Sequence, residues 1–137
     1  MLPTTLNTNE VKDTVNAELE FERKSTEGSK LVFAKIAETP NQPYRISVSH
    51  VEVGSGANLR RRSLYRVDKS VAGVSLLPRT VSAYVVLDAP VGDLSATTEL
   101  KNVIANIASG LATPGVTSVI ALDGSGTFAT ALINGTL

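Results

Sequence analysis

The chain has 137 residues, with 13 Lys and Arg against 13 Asp and Glu and therefore no net charge, no Cys, no Trp and a single His. That length suits one domain, whose core removes roughly two-thirds of the unfolded surface from water; the missing Cys excludes a disulfide framework and, with one imidazole, any His/Cys zinc site. The start "MLPTTLNTNEVKD" has neither a basic n-region nor an apolar h-region, and no stretch of about 18 uncharged apolar residues occurs, so a soluble, unprocessed protein with no membrane partner is expected.

The first two-thirds of the chain has an apolar period close to two, the mark of half-buried strands. Val15, Ala17, Leu19 and Phe21 alternate with Asn16, Glu18, Glu20 and Glu22, which predicts a first strand. "EGSK" turns the chain into a second, "LVFAKIA", and "TPNQP" is a further turn, with Pro43 at the start of the next strand, where its missing N–H does least harm. In "YRISVSHV" one face carries Tyr44, Ile46, Val48 and His50, the other Arg45, Ser47, Ser49 and Val51. "GSGAN" is a hairpin loop. The following strand has Ser63, Tyr65 and Val67 on one face and Arg62, Leu64, Arg66 and Asp68 on the other. "VAGVSLL" reads as a short strand that Pro78 breaks from "RTVSAYVVLD", where Val81, Ala83, Val85 and Leu87 oppose Ser82, Tyr84, Val86 and Asp88.

At "APVGD" the period changes. Ser95 can cap a helix over about 96–109, Glu99 favours its positive end, and Leu100, Val103, Ile104, Ile107, Ala108 and Leu111 recur at helical spacing, with Gly110 as a natural C′ residue. "VTSVIAL" is compatible with strand or helix, and "TFATALIN" before Gly135 with a short second helix. Five or so strands present more apolar surface than these helices can cover, which calls for a partner subunit; a two-fold dimer, each chain laying its helices on the other's sheet, is the simplest symmetric solution.

Charge is unevenly spread. From Arg45 to Arg79 seven basic residues (Arg45, Arg60, Arg61, Arg62, Arg66, Lys69, Arg79) meet two acidic ones (Glu52, Asp68), making that segment about +5 and the remainder about −5. Such a split suits an interior and an exterior of opposite sign.

The order of elements resembles the coat proteins of single-stranded RNA bacteriophages, the leviviruses. "PYRISVSHVE" resembles the family's fourth strand, "RRRSLYRVD" the next, and "SAYVVLDAP" with "SATTELKNVIANIASGL" the last strand and first helix. The resemblance covers nearly the whole chain and rests on order and register. It implies an α+β fold in one coat-protein domain, 1–137: an N-terminal β-hairpin and first sheet strand over about 1–38, an antiparallel five-stranded sheet continuing over 43–89, and two C-terminal helices in 95–137, the whole forming an interlocked dimer. It further implies an icosahedral capsid around single-stranded viral RNA, assembled in the host bacterium's cytoplasm, with an RNA stem-loop bound on the inner sheet face as translational repressor and packaging signal.

Carried over by strand parity, the resemblance makes Arg45, Ser47, Ser49, Arg62, Leu64, Arg66, Ser82 and Tyr84 the RNA-facing residues, and Leu100, Val103, Ile104, Ile107 and Leu111 the helix stripe at the dimer interface. Arginine pairs bidentately with phosphate, hydroxyls hydrogen-bond an inserted base, and Tyr84 offers a stacking surface. Where family members keep a hydroxyl and a lysine in an adenine pocket, this chain has Leu64 and Arg66. A concave basic lining is expected to attract polyanion regardless of sequence.

No reaction, cofactor, metal or small-molecule substrate is expected. His50 shares a face with Tyr44, Ile46 and Val48 and reads as structural; Ser47 and His50 lie on opposite faces of one strand, so Ser47, His50 and Asp68 make no triad. The glycines of "GSGAN" and "DGSG" read as turns rather than phosphate loops, and "NGT" at Asn134 as a chance sequon. Two other classes remain: a dimeric non-viral RNA-binding regulatory module that forms no shell, and a small hydrolase, for which no general base with an orienting partner is visible.

Overall fold

The computed structural model describes residues 1–92, 97–114 and 120–136. Six strands form one antiparallel sheet in chain order: β1 (Thr5–Leu6), β2 (Phe21–Glu27), β3 (Lys30–Lys35), β4 (Tyr44–Val53), β5 (Arg60–Ala72) and β6 (Pro78–Pro90). Two helices follow, α1 (Thr98–Leu111) and α2 (Thr127–Asn134), together with a two-residue pairing of β7 (Thr113–Pro114) and β8 (Ile120–Ala121). The fold is α+β, with the antiparallel sheet preceding two C-terminal helices as the sequence predicts. The described residues fall into two compact units, one of residues 1–8 and 20–92, the other of 9–19 with 97–114 and 120–136.

In the first unit β2 and β3 close through a two-residue turn in which Gly28 takes φ 56°, as primed hairpin turns require. The β4–β5 connection contains a 3₁₀ turn over Gly56–Asn58, and Gly54 (φ 96°) admits no side chain, since a Cβ there would lie 2.5 Å from the Asn58 carbonyl oxygen. β5 and β6 pair along all 13 residues of each. Pro78 opens β6, an edge strand, where the absent N–H leaves no gap in the ladder. "VAGVSLL" is thus not a separate strand: Val71 and Ala72 end β5 and residues 73–77 turn the chain, with the Gly73 N–H donating to the Leu77 carbonyl at 2.9 Å.

One face of this sheet carries the core. Phe33 pairs with Ile46, and Ile46 with Val67; Phe21, Phe33 and Ile46 are 0–1% exposed, and the Phe21 ring meets Tyr44 edge-on at 5.2 Å. Each such burial contributes about 1.5–3 kcal/mol.

The predicted strand from Val15 to Glu22 forms only from Phe21 onward. Asp13 Oδ1 accepts hydrogen bonds from the Val15 and Ala17 N–H groups at 3.0 and 2.8 Å, and Asn16 turns left-handed at φ 65°; a local side chain-to-backbone motif replaces the ladder. That segment belongs to the second unit. There α1 runs two residues further than expected, to Leu111, with Ala112 as its C-cap in place of a stop at Gly110. Gly110 lies inside the helix, facing the Phe128 ring at a distance where a Cβ would make an ordinary van der Waals contact, 3.4 Å. Gly126, which precedes α2, sits so close to the end of α1 that a Cβ would fall 2.6 Å from the Leu111 carbonyl oxygen. The short second helix read in "TFATALIN" forms as α2, and Gly135 ends it in the left-handed region. The expected cap Ser95 lies outside the described residues; Thr97 occupies the N-cap position. Asp123 accepts from the Ser125 N–H and hydroxyl at 3.0 and 2.7 Å and from the Thr113 hydroxyl at 2.8 Å, and these bonds hold its carboxyl down to about 2.

Candidate nucleic-acid interface

Directly paired residues of an antiparallel ladder project to the same face. The pairing of β4, β5 and β6 therefore builds rungs across the sheet: Arg45–Asp68–Ser82, Ser47–Arg66–Tyr84, Ser49–Leu64–Val86, and Val51–Arg62–Asp88. All eight residues assigned by parity, namely Arg45, Ser47, Ser49, Arg62, Leu64, Arg66, Ser82 and Tyr84, lie on this one face, and Arg60 joins them through its pairing with Val53 and Pro90. Rungs follow one another every two residues, about 7 Å apart. Tyr84 is 66% exposed, with its ring open for stacking.

The run Arg60–Arg61–Arg62 is split by the same parity. Arg61 pairs with Glu52 and faces the opposite way, donating from Nη2 and Nε to Glu52 Oε1 at 2.8 and 3.2 Å. Lys69 and Arg79 share that opposite face, Lys69 lying 5.2 Å from the Tyr44 ring centroid. Of the seven basic residues counted between Arg45 and Arg79, four thus line the candidate interface.

Nor are those four bare. Asp88 bridges two of them: Arg60 Nε donates to Oδ1 at 2.7 Å and Arg62 Nε to Oδ2 at 3.0 Å. Arg66 Nε donates to both oxygens of Asp68 at 2.9 Å, and the Ser82 hydroxyl completes that group with its own bond to Asp68. Arg45 reaches Glu38 at 3.4 Å. The Arg66 hydrogen bond, then that of Ser82, holds the Asp68 carboxyl below the ordinary range; Arg60 first and Arg62 second do the same for Asp88. Sequence reading missed these acids as members of the site. The signal available was the spacing Arg66-x-Asp68, which puts both side chains on one strand face.

His50 lies on the other face, its Nδ1 2.8 Å from the Ser63 hydroxyl across the ladder. It shares no face with Ser47 or Asp68, so the triad fails as the sequence indicates. Among the described residues no group of three or more His, Cys, Asp or Glu could hold a metal ion, and no helix is long and apolar enough to cross a membrane.

No protein-family model matches the chain, and no curated protein matches it by sequence. Solved structures do match by shape. The virus-like particle of bacteriophage EMS014 aligns over 100% of this chain and 99% of its own with TM-score 0.64 at 16% identity. The bacteriophage EMS014 coat protein aligns over 88% and 89%, TM-score 0.64, at 13% identity. The virus-like particle of Wenzhou levi-like virus 4 aligns over 77% and 70%, TM-score 0.53, at 17% identity. The structural neighbours of this chain are coat proteins and virus-like particles of bacteriophages and a levi-like virus, and the fold it shares with them is the one its order of elements resembles.

Proposed function

We propose that the chain is the coat protein of an RNA phage, a structural rather than catalytic component. In this reading the whole chain acts as one coat-protein domain that dimerises, assembles in the bacterial cytoplasm into an icosahedral shell, and turns the Arg45–Tyr84 face toward packaged single-stranded RNA. The same face binds an RNA stem-loop as repressor and packaging signal. The observation that carries the proposal is the end-to-end correspondence with the chain of a virus-like particle. The gathering of guanidinium groups, hydroxyls and one exposed tyrosine on a single sheet face supports the RNA part. The dimer is supported by apolar surface that a second copy would cover: Val103, Ile104 and Ile107 on the α1 stripe with Leu100 and Leu111, and Tyr65, Val71 and Val81 on the far face of the sheet, are all incompletely buried in the single chain.

Electron microscopy and sedimentation of the protein expressed alone test this directly. Particles of uniform diameter, with absorbance at 260 nm well above that of protein, are the expected result. Discrete dimers that bind RNA and stop there would favour a regulatory module instead, and a protein that stays monomeric would overturn both.

A further inference from the structure

The candidate interface holds four arginines but also three carboxylates within ion-pair distance of them: Arg45 with Glu38, Arg60 and Arg62 with Asp88, and Arg66 with Asp68. Among these seven groups one positive charge is left over, on the Arg60–Asp88–Arg62 bridge, while Lys30, paired with Ser49, lies on the same face. A surface meant only to attract polyanion gains nothing from carboxylates set among its arginines, since each one repels phosphate and cancels a guanidinium. The geometry of the pairing shows what they do gain. In Arg62 and Arg66 the carboxylate takes Nε, the inner edge of the guanidinium. The outer end of Arg62, with both terminal nitrogens, makes no other hydrogen bond to the described residues, and Arg66 engages only Nη2, in a 3.5 Å contact with Ser82. A planar fork fixed by its inner edge keeps its terminal donors aimed outward, ready for end-on contact with phosphate. The two forks sit four residues apart on β5, about 13 Å along the strand.

We infer that Asp68 and Asp88 are specificity-determining residues of this face: they fix the arginine forks at a set spacing and cancel half of the guanidinium charge that would bind RNA indiscriminately. An RNA then binds well only if its shape brings phosphates to both forks while a base reaches Tyr84. A flexible single strand lacks that spacing and meets the carboxylates as repulsion. The inference rests on the RNA-binding reading above and adds to it the side chains that make the binding selective.

The test uses Asp68→Asn and Asp88→Asn together, with Glu52→Gln as a control that removes one carboxylate beside Arg61 on the opposite face. Filter binding is measured over a range of salt with two probes, an oligo(U) strand and a pool of stem-loops with randomised loops. The double variant should bind oligo(U) roughly ten-fold more tightly at low salt, with a log–log salt slope steeper by about 1.4, which is about 0.7 for each phosphate contact restored to full strength. Its preference for the best-bound stem-loops over oligo(U) should shrink by a similar factor, while Glu52→Gln behaves as wild type. These pairs are solvent-exposed, so thermal melting should stay close to wild type and certify the fold. An unchanged slope and preference in the double variant would overturn the inference while leaving RNA binding intact. The same gain in Glu52→Gln would reduce it to a bulk-charge effect. Wild-type protein that binds neither probe would instead remove the RNA-binding reading itself.

Discussion

The two faces of β5 are built from different chemistry. Residues 60, 62, 66 and 68 turn guanidinium and carboxylate groups to one side; Ser63, Tyr65 and Val67 turn to the other, beside the buried Phe33–Ile46 pair. Both faces come from one strand and one run of sequence. The lesson is that a run of charge along a chain is not a patch in space: Arg61, flanked by Arg60 and Arg62, belongs to the surface that they do not share. The acidic residues that temper the arginines come from β5 itself, from β6 and from the segment before β4.

The contrast between the faces can be broken most severely from the core side. Phe33→Ala removes a ring that is 1% exposed and should cost about 3–5 kcal/mol in urea denaturation. A loss below 1 kcal/mol would show that this face is not where the sheet draws its stability. On the other face, Arg66→Ala with Tyr84→Ala should leave the secondary structure unchanged and weaken stem-loop binding by about 1–3 kcal/mol for the lost stack. It should also flatten the salt dependence by about one phosphate contact. If this variant unfolds instead, the assignment of faces is inverted.

Smaller effects sharpen the comparison at its margins. Leu76 holds φ 60° at the exposed tip of the β5–β6 turn, a conformation that costs a branched side chain about 1–2 kcal/mol. Leu76→Asn should therefore raise stability by up to about 1 kcal/mol, read as a higher melting temperature, since asparagine adopts this region more readily. In the second unit, Asp123 is a pH-dependent local tie. Its carboxyl is held down to about 2 by Ser125 and Thr113, so its contribution is complete above the usual carboxylate range and is lost as pH falls toward 2. Amide exchange at Ser125 should accelerate over that interval beyond its ordinary pH trend in the wild type, and Asp123→Asn should lack this acid-dependent step.

Strand parity from Tyr44 to Asp88 was legible in the sequence because period-two alternation is fixed by the pleat alone. Every residue placed on a face by alternation in β4, β5 and β6 is found on that face in the pairing. The stretch Val15–Leu19 alternates equally well, yet Asp13 and the left-handed Asn16 draw its backbone into a turn. Alternation of side chains carries no information about a competing hydrogen bond to the main chain. The end of α1 was misplaced because Gly110 signals a stop when it is read alone, whereas the helix continues through it to Leu111. The partnership of Asp88 with Arg60 and Arg62 was illegible for a different reason: it depends on cross-strand register, which the β5–β6 turn sets and local sequence does not state.

The 13-residue pairing of β5 with β6 also constrains how such a chain can change over generations. One residue inserted or deleted inside either strand would exchange the two faces beyond that point and put Tyr84 or Arg66 where Val85 or Val67 belongs. Drift within those strands is therefore confined to substitution. The turn at 73–77 is closed by bonds within its own backbone and raises Val74 and Leu76 into solvent, so added or lost residues there leave every rung in place. Length variation among descendants of this chain belongs at that tip.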